Sequence, residues 1–465
     1  MLLRTFFDPK LAHNSYLVAC QASGEAIVID PARNIEPYLE TALAEGIHIV
    51  AVAETHIHAD FLSGARELAE RAVTKLYLSG EGGQEWHYDY ATDYTHSFLR
   101  DGDTIILGNV QLEAIHTPGH TPEHLCYVLT DCARLAEPVG VFTGDCLFVG
   151  DVGRPDLLET AVGVRNSKAA AAKDLYASVQ RLRQLPDYAQ LWPAHGAGSA
   201  CGKALGAVPV STIGYECHAN WAFQTASESS FVETVLAGQP EPPRYFGMMK
   251  RLNKEGPALL TNRSMPPHLM PNQLANLLQA GAPIIDTRSP KAFANGHLSG
   301  TINIPYSSRT FVTYAGSFLD YETPFYLIIA PEDAESAQRD LQRIGLDKLA
   351  GYFSPSAVTA QPAPSLATIP QVTAADYAAA IQKDEIAVID VRSAAEFGAG
   401  HLPHARHIAL GNILTQLAAI PRDEPIILQC LSGFRSSIAA GLLSSRGYSN
   451  VMNLQGGYQA WQRLG

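Results

Sequence analysis

Cysteine is scarce in this chain and never occurs as Cys-x-x-Cys. Cys20, Cys126, Cys132, Cys146, Cys201, Cys217 and Cys430 are seven thiols spread through 465 residues. An odd, thin set argues against a disulfide framework or a cysteine-based zinc site, and points to free thiols in a reducing compartment. Long apolar runs are missing too: none approaches the ~20 residues that span a bilayer. The opening MLLRTFFDPK reaches Asp8 and Pro9 before a signal-peptide core can form, so the expected location is the cytoplasm. Basic residues are outnumbered, 33 against 46 acidic, for a net charge of −13. That balance argues against nucleic acid or an anionic membrane as partner. Oligomeric state stays open, a homo-oligomer included. The 46% hydrophobic and 17% charged composition is that of a globular chain. At ~150 residues per domain its length suggests about three domains.

An internal repeat organises the second half. IIDTRSPKAFANGHLSGTINIP (284–305) resembles VIDVRSAAEFGAGHLPHARHIAL (388–410) at an offset of 104 residues. Asp286, Arg288, Phe293, Gly296 and His297 correspond to Asp390, Arg392, Phe397, Gly400 and His401. An offset this long marks duplicated domains, not a solenoid. In each copy apolar strands (PIID, FYLIIA; AVID, PIILQC) alternate with helical stretches, as in a parallel sheet covered by helices. Residues 354–370, rich in Pro, Ser and Ala, read as a linker. The expected units are therefore 1–255, 266–353, 354–370 and 371–465.

Four polar fragments in the first unit each follow an apolar strand. They are His56-Ile-His58-Ala-Asp60, Thr117-Pro-Gly-His120-Thr121, Thr143-Gly-Asp145 and Pro193-Ala-His195. Strand ends along one sheet edge can gather distant side chains, and imidazoles with carboxylates suit a divalent first-row metal. One His-x-His among 16 histidines could be chance; four ordered fragments are much harder to dismiss. His13, His48, His87, His96 and His116 lack that context and read as structural.

In this order the fragments resemble the metallo-β-lactamase superfamily, which implies an αββα sandwich with a metal at one sheet edge. Gly150-Asp-Val-Gly-Arg154-Pro-Asp156 and the loop from His195 to Cys201 resemble the persulfide dioxygenases within it. Dizinc members carry His directly after the motif Asp, where this chain has Phe61. The resemblance thus implies one iron(II) per chain, held by His56, His120 and Asp145, with His58, Asp60 and His195 orienting ligands or water around it. Zinc relatives use the position of His58 as a ligand. Arg154 could bind an anionic substrate or pair with Asp151 or Asp156. Asp30 resembles a supporting carboxylate of the superfamily, or is a turn residue before Pro31. Cys201 reads first as a solvent-facing loop thiol, and alternatively as a sulfur relay beside the metal.

In the last unit PIILQ runs into Cys430-Leu-Ser-Gly433-Phe-Arg435-Ser436 and then an apolar helix. A cysteine at such a turn faces backbone N–H groups and the positive helix end, which stabilise an anionic sulfur. Gly433 permits the tight loop and Arg435 adds positive charge. The segment resembles the rhodanese sulfurtransferases, which implies a doubly wound parallel sheet and a persulfide on Cys430. Asp390, Arg392 and His401 are expected to be structural. In the first copy the same place reads Ala330-Pro-Glu-Asp-Ala-Glu335, without cysteine or glycine and acidic instead of basic. That copy is expected to be catalytically silent.

The expected chain is an α/β multidomain protein: an αββα sandwich followed by two rhodanese-like domains. The resemblance implies a fusion that oxidises a low-molecular-weight thiol persulfide with O₂ to sulfite and thiol. Rhodanese sulfur transfer would then connect persulfide, sulfite and thiosulfate. Rival readings are a dizinc thioester hydrolase of the glyoxalase II type and a sulfur-carrier module whose metal is only structural.

Overall fold

The computed structural model describes residues 1–161, 163, 166–260, 264–361, 365–380 and 386–464. Residues 362–364 of the expected linker, and 381–385 and 465 of the last expected domain, lie outside the described residues. Two compact units emerge: Met1–Arg263 with Gln342–Gly345, and Ser264–Leu341 with Leu346–Gly465.

The first unit is built on two six-stranded sheets. One runs Leu2–Asp8, His13–Cys20, Glu25–Ile29, His48–Ala53, Lys75–Ser79 and His96–Leu99, in that order. The other runs Ser211–Thr212, Gln190–Pro193, Gly140–Gly144, Leu125–Asp131, Val110–His116 and Thr104–Leu107. Side chains alternate across a strand. Tyr16 and Val18 therefore enter the core between the sheets, with Ile27, Leu112, Phe142 and Trp192. Leu17 and Ala19 face the opposite way, into an apolar layer with Tyr38 of helix Glu36–Glu45 and Leu68 of helix Ala65–Arg71. Leu175 and Val179 of helix Lys168–Leu182 cover the second sheet. The result is the expected αββα sandwich.

In the second unit each copy has its own all-parallel sheet. The first has strand order Ile302–Asn303, Ile284–Asp286, Phe325–Ile328, Leu349–Phe353. The second has order Gln371–Val372, Val451–Leu454, Ile426–Gln429, Ala387–Asp390, Ala405–His407. The repeat survives in atomic detail. Arg288 grips Asp286 and the Gly296 carbonyl, with Nη2 at 2.6 and 2.9 Å. Arg392 does the same to Asp390 and Gly400, at 2.6 and 2.7 Å. His297 and His401 each stack on the Phe four residues earlier, centroids 3.9 Å apart. The described part of 354–370 is packed, not free-standing. Ser356–Thr359 is a helical turn whose Ala357 and Val358 join the core of the first copy. His297 and Ala367 exchange two backbone hydrogen bonds of 2.9 Å. A composition rich in small residues looks like a spacer, yet here it supplies apolar methyls to a core edge.

Among the described residues no helix is long and apolar enough to cross a membrane. Phe142 stacks on Trp192 at 4.8 Å and meets Tyr16 at 4.9 Å, filling the space between the sheets. Phe142→Ala should cost about 3–5 kcal/mol of stability, read as a shift in the urea midpoint of the first unit at unchanged slope.

Candidate metal centre and cysteine loop

Strands from both sheets deliver the histidines to one edge. His48–Ala53 of the first sheet leads into His56, while Val110–His116, Gly140–Gly144 and Gln190–Pro193 of the second lead into His120, Asp145 and His195. Ligand atoms of His56, His120 and Asp145 lie within 4.8 Å of one another, all buried. A second group, Asp60, His195 and Cys201, meets the same criterion, as does a third, Asp30, Glu54 and His58.

The hydrogen bonds behind the rings fix their tautomers. The Thr55 hydroxyl donates to Asp30 Oδ2 at 2.8 Å, so it can only accept from His56 Nδ1 at 2.9 Å. His120 Nδ1 donates to the Arg154 carbonyl at 3.1 Å, and His195 Nδ1 to the Ala12 carbonyl at 3.2 Å. Each ring therefore presents a bare Nε2 lone pair inward, the arrangement a metal-binding imidazole needs. Burial holds His56 well below its usual pKa and brings His120 to about 4, so both rings are neutral. Asp145 is buried among these rings, its Oδ2 3.4 Å from His120 Nε2 and its Oδ1 3.4 Å from His195 Nε2. His56 Nε2, His195 Nε2 and both Asp145 carboxylate oxygens are buried without hydrogen-bond partners. A buried polar atom left so costs about 1–3 kcal/mol. Neutral nitrogen donors and one carboxylate, gathered within 4.8 Å on His56, His120 and Asp145, fit a divalent cation.

His58 lies apart from that set. Its Nε2 stands 3.2 Å from Asp30 and 3.0 Å from Glu54. Burial opposes its charge, yet the two carboxylates raise its pKa well above the usual value, so it is a buried imidazolium. Asp60 and His195 face each other at 3.3 Å, and His195 also stands 3.4 Å from Asp145. Asp30 itself adopts φ +50° in the turn before Pro31 and accepts from Thr55 N–H at 2.7 Å. It is both a turn residue and a supporting carboxylate.

The structure shows one of the two readings of Arg154, the pair with Asp156, and corrects the first reading of Cys201. Arg154 turns its fork to Asp156. It is 1% exposed, with Nε and Nη2 bound to Asp156 at 3.0 and 2.8 Å. Its role here is main-chain: its carbonyl holds His120, and its N–H donates to the Cys201 carbonyl at 3.2 Å. Cys201 in turn is not a solvent-facing thiol but 1% exposed, drawn inward by that bond. Burial, then Asp60 and Asp145, push its thiol well above its ordinary pKa, so it is protonated.

Other supports gave no pattern to read. His13, read as structural, places its ring 3.9 Å from Phe61 and 5.6 Å from His195. His124 Nε2 accepts from Asp145 N–H at 3.0 Å, steering the carboxylate. Asn253, on helix Phe246–Glu255, donates to the His58 and Phe61 carbonyls at 2.8 and 2.7 Å and accepts from Ser63 N–H at 2.9 Å. Only the Thr-Pro-Glu-His run containing His124 offered a signal.

Cys430 is buried where strand Ile426–Gln429 meets helix Phe434–Ser445. Gly433 adopts φ +91°, a left-handed conformation suited to glycine. Its N–H donates to Cys430 Sγ at 3.2 Å, and Ser436 Oγ donates at 3.5 Å. Arg435 points instead to Glu396, with contacts of 2.8 and 2.6 Å. The matching loop in the first copy is a turn, Pro331–Asp333, leading into helix Ala334–Gln342.

Residues 8–195 match the metallo-beta-lactamase superfamily. Residues 270–349 and 373–464 each match the rhodanese-like domain. The chain belongs to the metallo-beta-lactamase superfamily. Its first unit is 30% identical to the bovine (Bos taurus) mitochondrial persulfide dioxygenase ETHE1 over 206 residues, covering 42% of this chain and 68% of that one. It is 33% identical to a hydroxyacylglutathione hydrolase of Gloeobacter violaceus over 180 residues, covering 39% and 62%. A crystal structure of a metallo-beta-lactamase from Staphylococcus aureus superposes with a TM-score of 0.69 at 40% identity, covering 76% of this chain and 99% of that one. The particular architecture is thus a metallo-β-lactamase domain with persulfide dioxygenase relatives, followed by two rhodanese-like domains.

Gly153 passes so close to Asp145 that an added Cβ would sit 1.8 Å from its carbonyl oxygen. Gly153→Ala must displace the carboxylate-bearing turn, at a cost of about 1–3 kcal/mol. Metal titration should show weaker binding in this variant alongside a lower melting temperature.

Proposed function

We propose that the first unit is a non-haem iron(II) persulfide dioxygenase holding one iron on His56, His120 and Asp145, and that Cys430 serves a sulfurtransferase. The observation that carries the first half is the convergence of two bare Nε2 atoms and one carboxylate, with Phe61 where a dizinc site has histidine. Iron(II) held there would supply open positions for a substrate sulfur and O₂. The net reaction is thiol persulfide, O₂ and water to thiol, sulfite and two protons.

The chain's own residues prepare that site. Asp30 and Thr55 hold His56 in the correct tautomer, and the Arg154 carbonyl does so for His120. His124 aims Asp145. Asp60 and His195 face the Asp145 side, where they can order water or substrate by hydrogen bonds. Phe61, 1% exposed, helps keep bulk water out.

Sulfur transfer at Cys430 is a displacement. The Cys430 thiolate attacks the outer sulfur of thiosulfate, the sulfur–sulfur bond breaks, and sulfite leaves with the electron pair; the reverse step makes thiosulfate. Gly433 N–H and Ser436 Oγ–H donate to the sulfur that bears the charge. The first rhodanese-like copy, with Ala330-Pro-Glu-Asp in its loop, takes no part as a nucleophile.

One observation favours a second reading. Asp60, His195 and Cys201 could hold a second metal, as a dizinc thioester hydrolase would require. Metal analysis and O₂ uptake on a thiol persulfide separate the two. We expect one iron per chain, with both iron and O₂ consumption lost in His120→Ala. Two zinc ions per chain and thioester hydrolysis would overturn the assignment.

The two activities should also separate. Cys430→Ser keeps the side-chain volume but removes a nucleophile that can be anionic at neutral pH. With a preformed thiol persulfide it should consume O₂ at the parental rate and accumulate sulfite, while thiosulfate formation falls to the uncatalysed background. Thiosulfate made at the parental rate would exclude Cys430 as the transfer residue.

A further inference from the structure

One short run, residues 117–125, touches all three candidate ligands of the metal. It carries His120 itself. It also brackets His56. Leu125 N–H donates to the Thr55 carbonyl at 2.7 Å, one residue before, and Ile57 N–H donates to Glu123 Oε1 at 2.8 Å, one residue after. Between those two bonds the His124 ring lies against the His56 ring, with centroids 5.1 Å and planes 28° apart. His124 Nε2 also accepts from Asp145 N–H at 3.0 Å. His124 therefore contacts both His56 and Asp145 from the run that supplies His120.

The direction of each hydrogen bond around His124 follows from its donors. A backbone N–H can only donate, so Nε2 is a bare lone pair, and the ring's single hydrogen sits on Nδ1. Nδ1 lies 2.8 Å from the Thr117 hydroxyl, which must accept that hydrogen. The hydroxyl's own hydrogen has other acceptors in reach: Cys126 Sγ at 3.2 Å, and the Ile115 and His124 carbonyls at 3.5 Å. Thr117 N–H donates to the His124 carbonyl at 2.9 Å, so main chain and side chain both hold the two residues together.

Thr117 and His124 are fully buried, so bulk water does not compete for Nδ1–H. The backbone on the far side of the ring is close. Gly144 has φ +48°, and an added Cβ would sit 2.5 Å from His124 Nε2 and 2.7 Å from Thr55 Oγ1. The peptide that leads to Asp145 thus passes between the side chain behind Asp145 and the side chain behind His56. In the other tautomer Nε2–H would face the Asp145 N–H, donor against donor. The turn carrying the carboxylate would then have to move.

We propose that Thr117 is a positioning residue of the metal centre: its hydroxyl fixes the tautomer of His124, and His124 thereby fixes the bearing of Asp145 toward a bound cation. The proposal rests on the reading of His56, His120 and Asp145 as a metal site. It differs from a packing role in what can replace the residue. A threonine kept for its shape is replaceable by valine, whereas one kept for its hydroxyl is replaceable by serine.

The test titrates the metal-free full chain with cobalt(II), read by its visible absorption. Thr117→Val should raise the cobalt(II) dissociation constant about tenfold, the lower end of the roughly 10–100-fold range for groups that orient metal ligands. Thr117→Ser should restore most of the loss. On a His124→Ala background, Thr117→Val should change the constant by less than about twofold, because effects exerted through a shared partner do not add. Should Thr117→Val not fold, Thr117→Ala removes the same hydroxyl and is read in the same way. Undiminished affinity in the hydroxyl-free variant, an equal loss in Thr117→Ser, or the full loss repeated on the His124→Ala background would overturn the proposal. Cobalt(II) bound by His120→Ala as tightly as by the parent would instead remove the metal-site reading beneath it.

Discussion

The first unit depends on imidazoles that are tied from behind. His56, His120 and His195 each spend Nδ1–H on a fixed oxygen, from Thr55, Arg154 and Ala12 respectively, and so turn Nε2 toward Asp145. Those three oxygens come from segments far apart in sequence. Removing water from lone pairs and a carboxylate without hydrogen bonds is unfavourable. The sandwich offsets that cost with apolar burial between its sheets and beneath its helices. His56, His120 and Asp145 bring their ligand atoms within 4.8 Å of one another, where a single cation can meet all three.

The same short run, His56-Ile-His58-Ala-Asp60, divides into opposite roles by what surrounds each side chain. His56 is neutral among other imidazoles, whereas His58, two residues on, is an imidazolium between Asp30 and Glu54. Asp30 serves both, bonding Thr55 behind His56 and facing His58. One carboxylate thus links the tautomer of one histidine to the charge of the next. Asn253 then pins the loop by its main chain, so the division does not depend on the loop's own weak conformational preference.

What could be read from the sequence followed the reach of its patterns. Short motifs after apolar strands marked His56, His120, Asp145 and His195 because each stands at a strand end, a local feature. The 104-residue repeat marked the two parallel-sheet copies because Asp-x-Arg and Gly-His recur with their spacing intact. Long-range packing left no such trace. Nothing near Asn253 announces that it holds a loop 190 residues away. Cys201 reads as a loop thiol until the Arg154 main chain draws it inward. Arg435 looked available to an anion, and Arg154 either to an anion or to an acidic neighbour; each is consumed by a carboxylate, at Glu396 and Asp156. Side-chain charge is visible in sequence; whether it is already spent depends on tertiary neighbours.

The two candidate sites solve inverse electrostatic problems with similar parts. At the metal centre, nitrogen lone pairs and a carboxylate face inward, and the hydrogen atoms on the rings point away. At Cys430 the hydrogens face inward, from Gly433 N–H and Ser436 Oγ–H, toward a sulfur that can carry negative charge. Burial strengthens both arrangements, since a low local dielectric magnifies the preference for one sign. The silent copy shows how little of this the scaffold itself demands. It keeps the Asp286–Arg288 clasp and the Phe293–His297 stack, which hold strand to helix. Its Pro331–Asp333 turn has no thiol, and its charges there are negative. Fold and chemistry therefore reside in separable residues. A duplicated sheet can lack the nucleophile and keep the fold.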